Sequence, residues 1–442
     1  MDERAAIELA RQGVAFARDA GAASAEASVS IARRFHAEAR ENAIARLEES
    51  TGKSLYLRVF CDGRRATLST SDLSPDGLRE AARRTVARSA FVAIDELAGL
   101  PDEVAGRNGN LELFDRAIDE RPGTDKAEEA LTLERLIRAD PRIVNSSGSH
   151  YNDAVGVTAL ANSDGFADAY AWTRAGRTTG PVALDGAIKR IATYGSAARH
   201  LREIEGLESV ATTAVRRAVD LFGARKPPTM RVPVIFERDV AASLLDDLFA
   251  AISGANVAVG NSWLTGRVGE RVGSDLVTIV DDGLLPGALG TSPFDGEGVA
   301  TRRTPVFEGG TLRTFLYDTY YARKLGAATT GNATGGGVGP NNFYLEPGSR
   351  SLDEVIAATP RGVLVLDTIG FATEHASGTY SRGARGFFIE GGEIAYPIDE
   401  FTIAGLYAEM LAGIDAVAND LRFDAPVVSP SFRIAEMMVS GN

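Results

Sequence analysis

Two lapses in hydrophobic periodicity constrain this chain more than any other feature, because they divide its 442 residues into three expected units. Between Gly99 and Thr124 the pattern gives way to Gly, Pro, Asn and charge, from Leu100-Pro101-Asp102 to Arg121-Pro122-Gly123-Thr124. The second lapse is Gly223 with Pro227-Pro228, which stops a helix and cannot continue one. The expected units are therefore 1–98, 99–226 and 227–442, each near the usual domain size of roughly 100 to 200 residues.

Within the first unit, Ile7, Ala10, Val14 and Ala17 fall at helical spacing and Gly21 ends the run. Ala25, Ala27, Val29, Ile31 and then Leu55, Leu57, Val59, Cys61 alternate as strands, the second running through Asp62-Gly63 into a hairpin. Ser74 before Pro75 is an N-cap followed by a first-turn proline, and Leu78, Ala81, Ala82 and Val86 continue that helix. The middle unit reads as a helix over 126–139, strands near Ile143, over 155–160, 166–173 and 183–194, and a closing helix through Ala211, Val215, Ala218 and Phe222. The third opens with the strand 232–236 and a helix carrying Val240, Leu244, Leu248 and Ile252, with Asp239 as its expected N-cap. It then becomes strand-rich, with two similar Gly-Gly hairpins at 305–312 and 387–394 that are either a duplication or independent turns. The fold class expected is α+β, with a larger strand-rich C-terminal domain.

Charge and side-chain chemistry exclude several functions. With 47 basic against 60 acidic residues the net charge is -13, so a broad phosphate-tracking surface is not expected and nucleic acid is not an expected partner. Cys61 is the only cysteine, which removes disulfide frameworks and thiolate-rich zinc sites and suits a reducing compartment. The charged start Met1-Asp2-Glu3-Arg4 and the lack of a long apolar run point to a cytoplasmic chain without a membrane span. The histidines, His36, His150, His200 and His375, are isolated in sequence, so no His-Glu-x-x-His helix exists, and a hydrogen-bonded role is the ordinary expectation for each. There is no Gly-x-Ser-x-Gly elbow, and the Gly-rich run 329–340 lacks the Lys and Ser/Thr of a phosphate loop. Asp281, Asp282, Asp295 and Glu297 sit in Gly-rich turns, where they either bind a cation or a peptide amine or satisfy turn amides. The loop 374–383 collects His375, Tyr380, Ser381 and Arg382, a binding surface rather than a catalytic one.

The same segments resemble the TldD/PmbA family, also described as modulators of DNA gyrase, and most closely its PmbA (TldE) branch. The resemblance rests on Ser292-Pro293-Phe294-Asp295-Gly296-Glu297-Gly298-Val299, on Ala322-Arg323-Lys324-Leu325-Gly326 with Thr330-Gly331-Asn332-Ala333, and on Tyr380-Ser381-Arg382-Gly383-Ala384-Arg385-Gly386-Phe387. Tyr396-Pro397-Ile398, Thr402-Ile403-Ala404-Gly405 and a weaker echo at Leu57-Arg58-Val59 with Asp62-Gly63 extend it over nearly the whole chain.

What the resemblance implies is a cytoplasmic zinc metalloprotease built from two related subunits, in which the TldD partner carries a His-Glu-x-x-x-His helix and a later cysteine. Asp246, Asp247 and Ala251 stand at the matching positions here, and no cysteine follows Cys61. The implied role is a non-catalytic subunit with no cofactor of its own, zinc residing in the TldD-like partner of a heterodimer. A homodimer is expected in isolation. Peptides and unfolded chains are the implied substrates, met by Asp295, Glu297, Gly331, Asn332, His375, Tyr380, Ser381 and Arg382. Strand addition, at the strand after Gly339 or the one before Glu390-Gly391-Gly392, is the physical means expected. Two rivals stand beside it: an autonomous metal-dependent hydrolase using Asp281, Asp282, Asp295, Glu297 and His375, and a non-proteolytic regulator of gyrase or of a toxin-antitoxin pair.

Overall fold

The side chain of Asp2 accepts from Arg4 N and caps helix α1 (Glu3–Asp19), which buries Ala6, Ala10, Val14 and Ala17 as the spacing predicts. The structure, a computed structural model, describes residues 2–102, 109–370 and 373–441, so 103–108 of the expected connector lie outside it. Strands β1 (Ser24–Arg40) and β2 (Ala43–Cys61) are far longer than their apolar alternation suggests. They are joined by Glu41 and Asn42, both at positive φ (52° and 60°), a two-residue turn that matches strand twist. Residues 43–54 of β2 are all exposed, which is why hydrophobic patterning misses them. Strand β3 (Arg64–Thr70) returns through the Asp62-Gly63 hairpin, and Ser74 caps α2 (Pro75–Ser89) through Gly77 N.

A short helix α3 (Arg116–Asp119) precedes α4 (Gly123–Arg138), and strands β4 (Ile143–Asn162), β5 (Ala167–Asp185), β6 (Ile188–Ile191) and β7 (Tyr194–Ala198) lead to α5 (Leu207–Val219). The sheet order is β3-β2-β1-β4-β5-β6, with β7 also on β5, so the first two sequence units share one sheet. Antiparallel pairing of β1 with β4 runs from Glu26 opposite Asn162 to Ala39 opposite Ser149. Because strand side chains alternate, Ala25, Ala27, Val29, Phe35, Ala37 and Ala39 all face one side. Helices α1 and α2 cover one end of that face, and α3 to α5 cover the other.

In the C-terminal domain, β8 (Met230–Phe236) runs into α6 (Arg238–Ile252). The N-cap of α6 is Glu237, not Asp239: Glu237 N is still bonded to the sheet at Val365 O (3.1 Å), and its side chain accepts from Asp239 N. Asp239 falls in the first turn and pairs with Arg217 (2.7 Å). The strands Arg361–Ile369, β8, Phe432–Ser440, Glu393–Leu406 and Thr379–Glu390 pair in that order, and the last also pairs with the first, closing a ring. A second sheet orders Thr311–Leu312, Arg303–Glu308, Ile279–Asp282, Phe343–Leu345 and Val427–Val428. The largest core, including Leu244, Leu248, Phe307, Phe343 and Phe401, lies between these sheets and α6.

Both Gly-Gly hairpins form, with Gly309, Gly310, Gly391 and Gly392 all at positive φ, yet they belong to different sheets. The strand edges expected for peptide addition are not edges. Phe343–Leu345 lies between Ile279–Asp282 and Val427–Val428, and Thr379–Glu390 is paired on both sides. Closing the ring removes the unpaired N–H and C=O groups that strand addition needs. Among the described residues no helix is long and apolar enough to cross a membrane.

Candidate functional site

On α6, heptad-like burial turns Leu244, Leu248 and Ala251 into the core and leaves Asp246 exposed and Asp247 half-buried at the helix flank. One oxygen of Asp247, Oδ2, accepts from Arg382 Nη2 (2.6 Å), Thr373 Oγ1 (2.9 Å) and Tyr407 OH (3.1 Å). Burial raises the Tyr407 and Tyr380 hydroxyl pKa values, so both stay protonated. Tyr380 is fully buried with its ring edge-on to Tyr407 (5.8 Å), and Arg382 lies over the Tyr380 ring (5.6 Å). Although Asp246 is exposed, partial loss of hydration at the helix flank, then the neighbouring Asp247 charge, pushes its carboxyl upward. Arg382 and Arg385 open onto a cleft of about 570 Å3 that also includes Arg217, Asp239, Ser243 and Asp367. The guanidiniums here are ion-paired, Arg217 with Glu237 and Asp239, Arg382 with Asp247 and Arg385 with Asp367, and only their remaining N–H groups can meet an acceptor; among the described lining residues there is no nucleophile backed by a base.

The acidic turns do different work. Asp295 Oδ1 accepts from Glu297 N (2.9 Å) and Val299 N (3.0 Å), while its Oδ2 accepts from Ala333 N (2.9 Å). Glu297 pairs with Arg58 of β2 (2.8 Å) and accepts from Thr319 N (3.0 Å), tying the C-terminal domain to the first sheet. Arg58 also meets Glu26 (3.1 Å), so two carboxylates share one buried cation. Burial, then the Glu297 charge, raises Asp295 to about 7. Asp281 is fully buried, accepts from Asn332 Nδ2 (2.7 Å), Asn341 N (2.8 Å) and Asn341 Nδ2 (2.9 Å), and is raised by burial to about 6. Asp282 Oδ1 accepts from Leu284 N (2.8 Å). These contacts pin the 329–340 run. Gly331 is required there, since it holds φ +74° and a Cβ would lie 2.6 Å from Ala300 O.

Thus Asp295 and Asn332 are buried beside a cleft of about 230 Å3, Glu297 is buried within an ion pair, and Gly331 is a backbone support. Of the loop residues, Tyr380 is core, while Ser381 and Arg382 are half-buried. His375 is half-buried too, and its carbonyl accepts from Trp263 N (3.0 Å). The acidic turns and His375 do not converge on one ion: among the described residues, the only His, Cys, Asp or Glu trio with ligand atoms all within 4.8 Å is His36, Glu38 and His150.

Comparison with known proteins matches three successive stretches of this chain to one family: residues 25–89 to the PmbA/TldA metallopeptidase domain 1, 116–222 to its central domain, and 229–441 to its C-terminal domain. A Haemophilus influenzae protein named metalloprotease PmbA homolog is 33% identical over 445 residues, covering 98% of this chain and 96% of that protein. The chain belongs to the PmbA/TldD family, on its PmbA branch. The Escherichia coli O157:H7 metalloprotease PmbA is 30% identical over 425 residues, 94% of this chain and 92% of that one. Among solved structures, a Bacteroides thetaiotaomicron protein described as a candidate modulator of DNA gyrase has a TM-score of 0.92 at 25% identity, covering 98% of both chains. The fold is shared with TldE from Thermococcus kodakarensis, TM-score 0.89 at 23% identity, over 97% of this chain and 99% of that one.

A family named for metallopeptidases raises the question of whether α6 fits a zinc ion. It does not. Ala251, 1% exposed in the core, supplies no ligand atom. Asp247 Oδ2 already accepts three donors, the nearest of them a guanidinium whose positive charge neutralises the carboxylate. Cys61 belongs to β2 in the other sheet. Thr373 and Tyr407, which complete the Asp247 cluster, escape sequence reading because they lie 126 and 160 residues from Asp247. Arg58 carried only a weak motif echo, and its buried pairing across domains has no local signature.

Proposed function

We propose that this chain is the non-catalytic subunit of a TldD–TldE type zinc metalloprotease, acting on peptides and unfolded protein chains. The observation that carries the reading is the state of α6: the family's metal-site helix is kept, while Asp247 is held by Arg382, Thr373 and Tyr407 and Ala251 is packed in the core. Zinc and the attacking water then belong to a TldD-like partner with an intact His-Glu-x-x-x-His helix. This chain contributes a wall of the substrate chamber, in which the Arg217, Arg382 and Arg385 cleft binds peptide carbonyls or carboxylates. A heterodimer is the working form, a homodimer forms when the partner is absent, and the cytoplasm, where a lone Cys61 stays reduced, is the compartment.

The test mixes the purified chain with a TldD-like subunit from the same cell at micromolar concentration and follows assembly by light scattering and hydrolysis of an unfolded protein. Assembly with activity only in the mixture supports the reading. Failure to associate, or hydrolysis by this chain alone that is lost in Asp246→Asn/Asp247→Asn, overturns it.

A further inference from the structure

Antiparallel pairing of β1 with β4 brings together side chains that sequence spacing keeps apart. His36 and Glu38 are two residues apart on β1 and therefore share a face, and His150 lies directly opposite Glu38 in the ladder. His36 Nε2 and His150 Nδ1 are 3.2 Å apart, with the two rings stacked at 5.5 Å. A tetrahedral ion holding two imidazoles at about 2.0 to 2.1 Å sets their nitrogens roughly 3.3 Å apart, so this pair already spans one edge of such a site.

Glu38 supplies the third donor. Its carboxylate is half-buried and has no hydrogen-bond or ion-pair partner among the described residues. The nearby cations are engaged elsewhere: Arg40 donates to Ser146 O (3.2 Å) and Arg46 to Glu48 (2.7 Å). Gly148, at φ +114°, keeps the space beside the trio open, since a Cβ there would lie 2.9 Å from His150 Nε2 and 3.2 Å from Glu38 Oε1. His36 also lines a cleft of about 630 Å3 between this face of the sheet and residues 424–426, which gives solvent and ions a route to its imidazole.

We propose that His36, Glu38 and His150 form a binding site for a divalent transition-metal ion of the zinc class. Two imidazoles and one carboxylate suit such an ion better than calcium or magnesium, which prefer all-oxygen shells. The site lies in the first sheet, apart from α6, and stands independently of the subunit role proposed above.

The experiment titrates Co2+ into the full chain after chelator treatment, following visible ligand-field absorption, and then displaces it with Zn2+. About one ion per chain is expected, with tetrahedral-type bands. His36→Gln and His150→Gln should each weaken binding by more than about 100-fold, beyond the loss expected when only a hydrogen-bond partner of a ligand is removed. Glu38→Gln, isosteric and harmless to packing, should weaken it in the same sense and serves as the variant certain to test the site if a histidine variant misfolds. Asp246→Asn/Asp247→Asn should bind as the parent does. Absence of uptake by the parent, unchanged affinity in Glu38→Gln with either folded histidine variant, or loss of uptake in the α6 variant overturns the proposal.

Discussion

Replacing Glu26 by Gln should stabilise the chain at pH 8 and leave it nearly unchanged at pH 4. Glu26 is 2% exposed, its Oε2 has no hydrogen-bond partner among the described residues, and Arg58 sits closer to Glu297 (2.8 Å) than to Glu26 (3.1 Å). Burial, opposed by Arg58 and reinforced by the Glu297 and Asp295 charges, raises the Glu26 pKa from 4.5 to about 7. Between those values the folded chain holds a proton that the unfolded chain has released. Stability from this group is thus full below the lower value and is lost as pH rises through the higher one. The gap corresponds to about 3 kcal/mol. At about 2.1 cal/mol/K of unfolding entropy per residue, that is about 3 °C if the whole chain unfolds together. Thermal midpoints of both proteins from pH 4 to 8.5 should diverge across this window. Arg58→Leu should do the opposite, losing about 3 to 5 kcal/mol at pH 8 because two buried carboxylates lose their cation. Parallel pH curves for Glu26→Gln and the parent, or a Gln variant less stable than the parent at pH 8, would refute the reasoning.

Ala251→His should cost about 1 to 3 kcal/mol by overfilling the core around α6, read as a lower thermal midpoint. Even combined with Asp246→His and Asp247→Glu it should add no zinc at that helix by elemental analysis of a variant also lacking His36 and His150, because among the described residues no group of His, Cys, Asp or Glu able to hold an ion forms there. Arg323 donates to Leu97 O (3.1 Å), Leu100 O (2.6 Å) and Asp102 Oδ1 (2.9 Å). Arg323→Ala should therefore release the start of the connector and speed chymotrypsin cleavage after Leu97 about tenfold, one to two lost hydrogen bonds' worth. Unchanged cleavage would mean that other contacts hold this segment.

Much of the fold was legible where neighbours in sequence are also neighbours in space. The α1 stripe, the Asp62-Gly63 hairpin, the Ser74 cap and both Gly-Gly turns are decided by a few adjacent residues, and each appears. Strand length was not legible, because residues 43–54 are exposed throughout and carry no apolar alternation, and their strand is extended by pairing with β1. The Asp239 cap was misplaced by two residues because the sheet holds Glu237 until the strand ends. At the candidate site, the residue types at Asp246, Asp247 and Ala251 could be read directly, whereas the three donors on Asp247 could not.

The sequence by itself determined the α+β composition, the family motifs and the absence of histidine from α6, because these depend on residue identity and local periodicity. Only the tertiary structure decided which polar residues face each other. It buried Glu26, Arg58 and Glu297 in one cross-domain cluster, closed both strand edges that seemed open to a peptide, and set His36 beside His150 across 114 residues of chain. Register between distant strands is fixed by the burial of one whole face of a sheet, and the polar residues of the other face are carried into place by it.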